Sequence, residues 1–124
     1  MKITSFNPTI ISNKSKDLIS LFEELGFEKR HQKDDLSGDD VHCVRMADAM
    51  GHHVDIISSE RVDKDWTLIR MNVDDINEAK EELISKGFTV VNELLPTSSS
   101  LDVVMKSASG FYIHIVEHLK NKTL

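Results

Sequence analysis

The chain has 124 residues, 40% apolar and 29% charged, which fits a soluble globular protein of one domain or of two small half-modules sharing a core. Its formal charge of −6 argues against nucleic acid as a partner, because neutralising phosphates takes a basic face. No apolar run approaches the ~20 residues of a spanning helix, and the N-terminus lacks a signal-peptide core. A lone Cys43 excludes an internal disulfide, so the expectation is a cytoplasmic protein away from membranes.

Ile3 to Ser12 alternates as a strand, and Pro8 suits an edge or a rim. Ser12 or Asn13 is the expected cap of a helix over Ser15–Leu25, whose apolar stripe is Leu18, Ile19, Phe22 and Leu25. Gly26 ends it at the position where a left-handed residue is needed. Strands are expected over Phe27–Lys33, Val41–Met46 and His53–Ser58, with an acidic hairpin loop at Asp34–Asp40 and a turn around Gly51. After a polar connector at Glu60–Asp65 the order repeats. Trp66–Val73 is a strand, and Asp75 caps a helix running to about Lys86 with Ile76, Ala79, Leu83 and Ile84 inward. Gly87 stops that helix; strands follow at Phe88–Leu94, Leu101–Met105 and Phe111–Glu117, with a loop at Pro96–Ser100 and a basic tail.

The second half of each repeat can be laid on its counterpart without a gap. Residues 44–57 read VRMADAMGHHVDII and residues 103–116 read VVMKSASGFYIHIV, so Val44, Met46, Ala49 and Gly51 fall on Val103, Met105, Ala108 and Gly110. The reading is an α+β chain of two βαβββ modules, about residues 1–60 and 65–119, which pair because neither buries its helix and sheet faces alone. A ferredoxin-like sandwich is the alternative, but it leaves the strands at Val41–Met46 and Leu101–Met105 without a place.

Phe22-Glu23-Glu24-Leu25-Gly26-Phe27, Asn72-Val73-Asp74-Asp75-Ile76 and Gly110-Phe111-Tyr112-Ile113-His114-Ile115, in that order and spacing, resemble the vicinal oxygen chelate superfamily of glyoxalases, bleomycin resistance proteins and extradiol dioxygenases. The resemblance spans nearly the whole chain. It implies mixed sheets curled around a cavity, commonly in a homodimer, and in metal-using members four His, Glu or Gln ligands on the first, fourth, fifth and eighth strands. Those positions are Asn7, Asp55, Leu68 and His114 here. Leu68 breaks the pattern, Asn7 offers a neutral oxygen, and Asp55 is one methylene shorter than Glu. A dication needs about three good donors at ~2.0–2.2 Å, whereas Asp55 and His114 supply two. No cofactor is therefore expected, with a divalent metal at Asp55 and His114 as the alternative.

Alternation places His53, Asp55 and Ile57 on one face, with Tyr112, His114 and Val116 and with Leu68, Arg70 and Asn72 on the corresponding faces. Arg70 either holds a ligand carboxylate or phosphate through its planar fork, or pairs internally with Asp55. His114 is the candidate acid or base, against a purely structural histidine. Trp66 either stacks on a flat ligand or anchors an interface. The leading function is a metal-independent small-molecule binder using Asn7, His53, Asp55, Trp66, Arg70, Tyr112 and His114. The alternatives are a metal-dependent lyase, isomerase, transferase or dioxygenase, and an interaction module whose cavity its own side chains fill.

Overall fold

A computed structural model describes residues 1–33, 42–93 and 100–119. Ten elements follow in the order β1 (Ile3–Ser12), α1 (Ser15–Glu24), β2 (Glu28–Lys33), β3 (His42–Ala47), β4 (His53–Ser58), β5 (Trp66–Val73), α2 (Ile76–Ser85), β6 (Thr89–Glu93), β7 (Ser100–Lys106) and β8 (Tyr112–His118). This is the expected α+β order, βαβββ twice. The acidic loop at Asp34–Asp40, the loop residues 96–99 and the basic tail from residue 120 lie outside the described residues, while Ser100 opens β7. No helix among the described residues is long and apolar enough to cross a membrane.

Two compact units emerge, Asn7–Thr67 and Met1–Phe6 with Leu68–Leu124. In the Asn7–Thr67 unit the strand order is β2-β3-β4-β1, with β1 parallel to β4 and the other pairs antiparallel. The second unit has the order β6-β7-β8-β5, with β5 parallel to β8. The strands β3 and β7 each sit between two partners, which removes the ferredoxin-like alternative. Even the irregularities repeat: register shifts by one residue between Lys29 and His31 on β2, and between Val90 and Asn92 on β6.

Each helix covers one sheet face. Ile10, Leu18, Ile19, Phe22 and Phe27 pack on buried Val44, Met46, Val54 and Ile56. Around α2, buried Ile76 and Ala79 join Met71, Val73, Val103, Met105, Ile113 and Ile115. Because side chains alternate along a strand, these apolar sets leave the intervening residues on the opposite face.

The helix ends are built alike. Phe27 N–H donates to Phe22 O (2.9 Å) and Gly26 N–H to Glu23 O (3.1 Å), while Phe88 N–H donates to Leu83 O and Gly87 N–H to Ile84 O (both 3.0 Å). Both are Schellman closures, with φ +100° at Gly26 and +96° at Gly87. The Phe22 and Phe27 rings add the apolar contact of that motif, edge to face at 5.3 Å. The starts differ. Asp75 caps α2 as expected, accepting Glu78 N–H at 3.0 Å. The cap position of α1 is Lys14, not Ser12 or Asn13, and has no side-chain cap. Ser12 is fully buried at the end of β1, so its hydroxyl accepts Lys14 N–H at 2.9 Å and shapes the turn before the helix instead.

Candidate functional site

The sheet faces opposite the helices carry buried polar residues, one cluster in each unit. In the Asn7–Thr67 unit the cluster is built on a row across three strands. Arg45 on β3 is the register partner of Asp55 on β4, and Asp55 is the partner of Thr9 on β1. Opposed residues share a face, so all three point the same way. Arg45 Nε donates to Asp55 Oδ1 at 2.8 Å and its Nη2 donates to Oδ2 at 3.1 Å. Asn7 Nδ2 donates to the same Oδ2 at 3.1 Å and to Pro8 O at 2.9 Å, while Asn7 Oδ1 accepts from Arg45 Nη2 at 3.5 Å.

Asp55 is 1% exposed and Arg45 keeps 30% of its side chain at the surface. The hydrogen bond to Asp55 raises the Arg45 pKa above its ordinary value, against the opposing effect of burial and with the help of the carboxylate charge. A buried carboxylate needs such a partner, since an unpaired one costs several kcal/mol. Thr9 Oγ1, fully buried beside this pair in the row, has no hydrogen-bond partner among the described residues.

The second unit holds His114 on β8. Its Nε2 is 3.2 Å from Asp102 Oδ2 on β7, and Ser100 Oγ donates to Asp102 Oδ1 at 3.2 Å. Burial works to raise the Asp102 pKa. The His114 bond and charge, the Arg70 charge and the Ser100 hydroxyl outweigh it and hold the carboxyl below the ordinary range. An ionised Asp102 only accepts, so the hydrogen of that bond sits on His114 Nε2. Arg70 Nε donates to Asn72 Oδ1 at 3.3 Å, and Asn72 Nδ2 donates to His118 Nε2 at 3.1 Å. His118 is exposed but tied to this face by that bond.

The remaining candidates are His53 and Trp66 in the Asn7–Thr67 unit and Tyr112 in the other. His53 is exposed at the start of β4, and Trp66 is half-buried at the start of β5. Tyr112 is half-buried, its ring 5.7 Å from Lys106 Nζ. The sequence reading missed Arg45 and Asp102, the residues that hold Asp55 and His114. The signal that could have found Arg45 was there: a hairpin turning at Gly51 that pairs Ala47 with His53 necessarily sets Arg45 opposite Asp55.

Of the four positions at which the resemblance implies metal ligands, Asn7 and Asp55 lie in one unit and Leu68 and His114 in the other. Leu68 is 3% exposed and aliphatic. Both Asp55 oxygens and the Asn7 amide oxygen accept from Arg45, a cation already in place. Among the described residues no group of three His, Cys, Asp or Glu is arranged to hold a metal ion.

No protein-family model matches the sequence, and no curated protein does. Solved structures match over nearly the whole of this chain. A Bacillus halodurans C-125 protein described as hypothetical aligns at 17% identity over 92% of this chain and 95% of its own, with a TM-score of 0.67. Methylmalonyl-CoA epimerase from Mycobacterium tuberculosis aligns at 16% identity over 93% and 88%, also with a TM-score of 0.67. A glyoxalase/bleomycin resistance protein/dioxygenase superfamily member from Vibrio splendidus 12B01 aligns at 14% identity over 94% and 99%, with a TM-score of 0.61. This chain has the fold of the glyoxalase, bleomycin resistance and dioxygenase superfamily, the vicinal oxygen chelate fold.

Proposed function

We propose that this chain binds small molecules on the polar sheet face of each unit, at Arg45 in one and at His114 in the other, and that it does so without a resident metal ion. The observation that supports this reading is the Arg45–Asp55 pair. A carboxylate whose two oxygens are already in charge-assisted hydrogen bonds gains little from a dication and would have to give up a guanidinium to take one. Leu68 supports it further, having no donor atom. Asn7, His53 and Trp66 are the proposed further contacts in the unit of Arg45, Arg70 and Tyr112 those in the unit of His114, and a homodimer is the proposed assembly.

The test is a thermal-shift and calorimetric screen of metal-free protein against three ligand classes. These are small carboxylates, acyl-CoA thioesters and cationic aromatic compounds. Thioesters are included because a methylmalonyl-CoA epimerase of this fold is in complex with methylmalonyl-CoA and NH4+. Cationic compounds are included because the chain is acidic, and their affinity should fall as salt rises. Binding that needs added metal would refute the proposal.

A second reading is favoured by the Asp102–His114 bond. Asp102 fixes the imidazole hydrogen on Nε2, which leaves Nδ1 as the proton acceptor, the arrangement of a general base oriented by a carboxylate. On that reading His114→Ala abolishes turnover of any substrate found, and Asp102→Asn reduces it by a smaller factor. Binding without turnover in wild type would leave the binder alone.

A further inference from the structure

We infer that Arg45 is a built-in cation. Its guanidinium holds Asn7 and Asp55 as a metal ion would hold ligands at those two positions. The inference rests on the metal-free reading above and goes beyond it, because it names the group that supplies the positive charge at these residues.

Three observations carry it. The atoms through which Asn7 and Asp55 could ligate are the amide Oδ1 and the two carboxylate oxygens, and each accepts a hydrogen bond from Arg45. Asn7 Nδ2 braces the carboxylate from the other side, so the acceptor set is held in place rather than merely filled. Thr9 Oγ1 is the third. This buried hydroxyl is unpartnered among the described residues and lies in the same row beside Asp55. Take the guanidinium away, and what stays behind is an all-oxygen donor set of Asn7, Thr9 and Asp55. Such a set suits a hard dication such as Mn2+.

The arrangement also leaves a working edge. Arg45 spends Nε and Nη2 on Asp55 and Asn7, and Nη1 donates to nothing among the described residues although the side chain reaches the surface. A ligand oxygen meeting this site would meet those N–H groups. Because Asp55 already neutralises the guanidinium, a polarised carbonyl suits the edge better than a second full negative charge.

The experiment is Mn2+ titration followed by electron paramagnetic resonance, on wild type, Asp55→Asn, Arg45→Ala and Arg45→Ala/Asp55→Asn. Wild type and Asp55→Asn should leave the free-ion signal unchanged. Arg45→Ala should bind Mn2+ at least about tenfold more tightly than wild type, and adding Asp55→Asn should erase the gain. A folded Arg45→Ala protein with no gain overturns the inference and leaves the metal-free reading standing. Mn2+ binding by wild type that Asp55→Asn removes overturns both. Should Arg45→Ala fail to fold alone, Mn2+ must restore its folding; if it does not, the inference is equally overturned.

Discussion

Arg45 and Asp55 face each other across β3 and β4 and join side-on, with Nε 2.8 Å from Oδ1 and Nη2 3.1 Å from Oδ2. Breaking this pair from one side should cost more than removing both partners. Arg45→Ala leaves a buried carboxylate without its counter-charge, though Asn7 Nδ2 still donates to it. The expected loss is about 2–3 kcal/mol, below the ~3–5 kcal/mol of a fully buried pair because Arg45 is partly solvated. Arg45→Ala/Asp55→Asn should recover part of that loss in urea unfolding. Strictly additive single and double variants would show that the two side chains are not coupled.

Asp102 makes acid stability depend on pH in a defined direction. Its folded-state pKa lies below the ordinary 3.8, because burial, which raises it, is outweighed by His114, Arg70 and Ser100. A depressed carboxyl contributes stability that is present above its unfolded pKa and is lost as pH falls through the folded value. Wild type should therefore exceed Asp102→Asn in urea midpoint at neutral pH, and the gap should close below about pH 4. A gap that stays constant into that range would contradict the assignment.

Gly26 and Gly87 are at φ +100° and +96°, and an added β-carbon would meet no atom within 4 Å at either. The cost of alanine there is backbone strain alone, roughly 1–2 kcal/mol at each site. The two variants should agree closely with each other in unfolding free energy. A neutral result at either would mean that the left-handed closure is dispensable.

Met46 and Met105 occupy matching places in the two cores, both fully buried. Alanine at either should cost about 2–5 kcal/mol by thermal or urea unfolding, through lost apolar burial and the cavity left behind. Losses under about 1 kcal/mol would mean that the surroundings collapse into the space.

Much of this was legible in the sequence because its signals are local. The strands His53–Ser58 and Trp66–Val73 end where alternation ends, and Gly26 and Gly87 mark helix closures. The cap of α1 was not legible, since Ser12 is drawn into the buried end of β1 and the helix begins after Lys14 without a side-chain cap. The site was half legible. The family resemblance pointed to Asp55 and His114, and alternation only extended the set along their strands. Their partners Arg45 and Asp102 sit on neighbouring strands, and finding them takes cross-strand register, which no single strand's pattern contains. A charged residue inside an apolar strand such as Cys43-Val44-Arg45-Met46 is the clue to follow, because a partly buried guanidinium implies a partner.

The central claim is that the positive charge at Asp55 belongs to Arg45 and not to a metal. Its most direct test is the metal content of purified, tag-free wild-type protein by elemental analysis, before and after reconstitution with Mn2+, Zn2+ and Ni2+, with Asp55→Asn and His114→Ala as controls. The account predicts no stoichiometric metal in any of the three proteins. One equivalent bound by wild type and lost in either variant would contradict it, and would make Asp55 and His114 ligands after all.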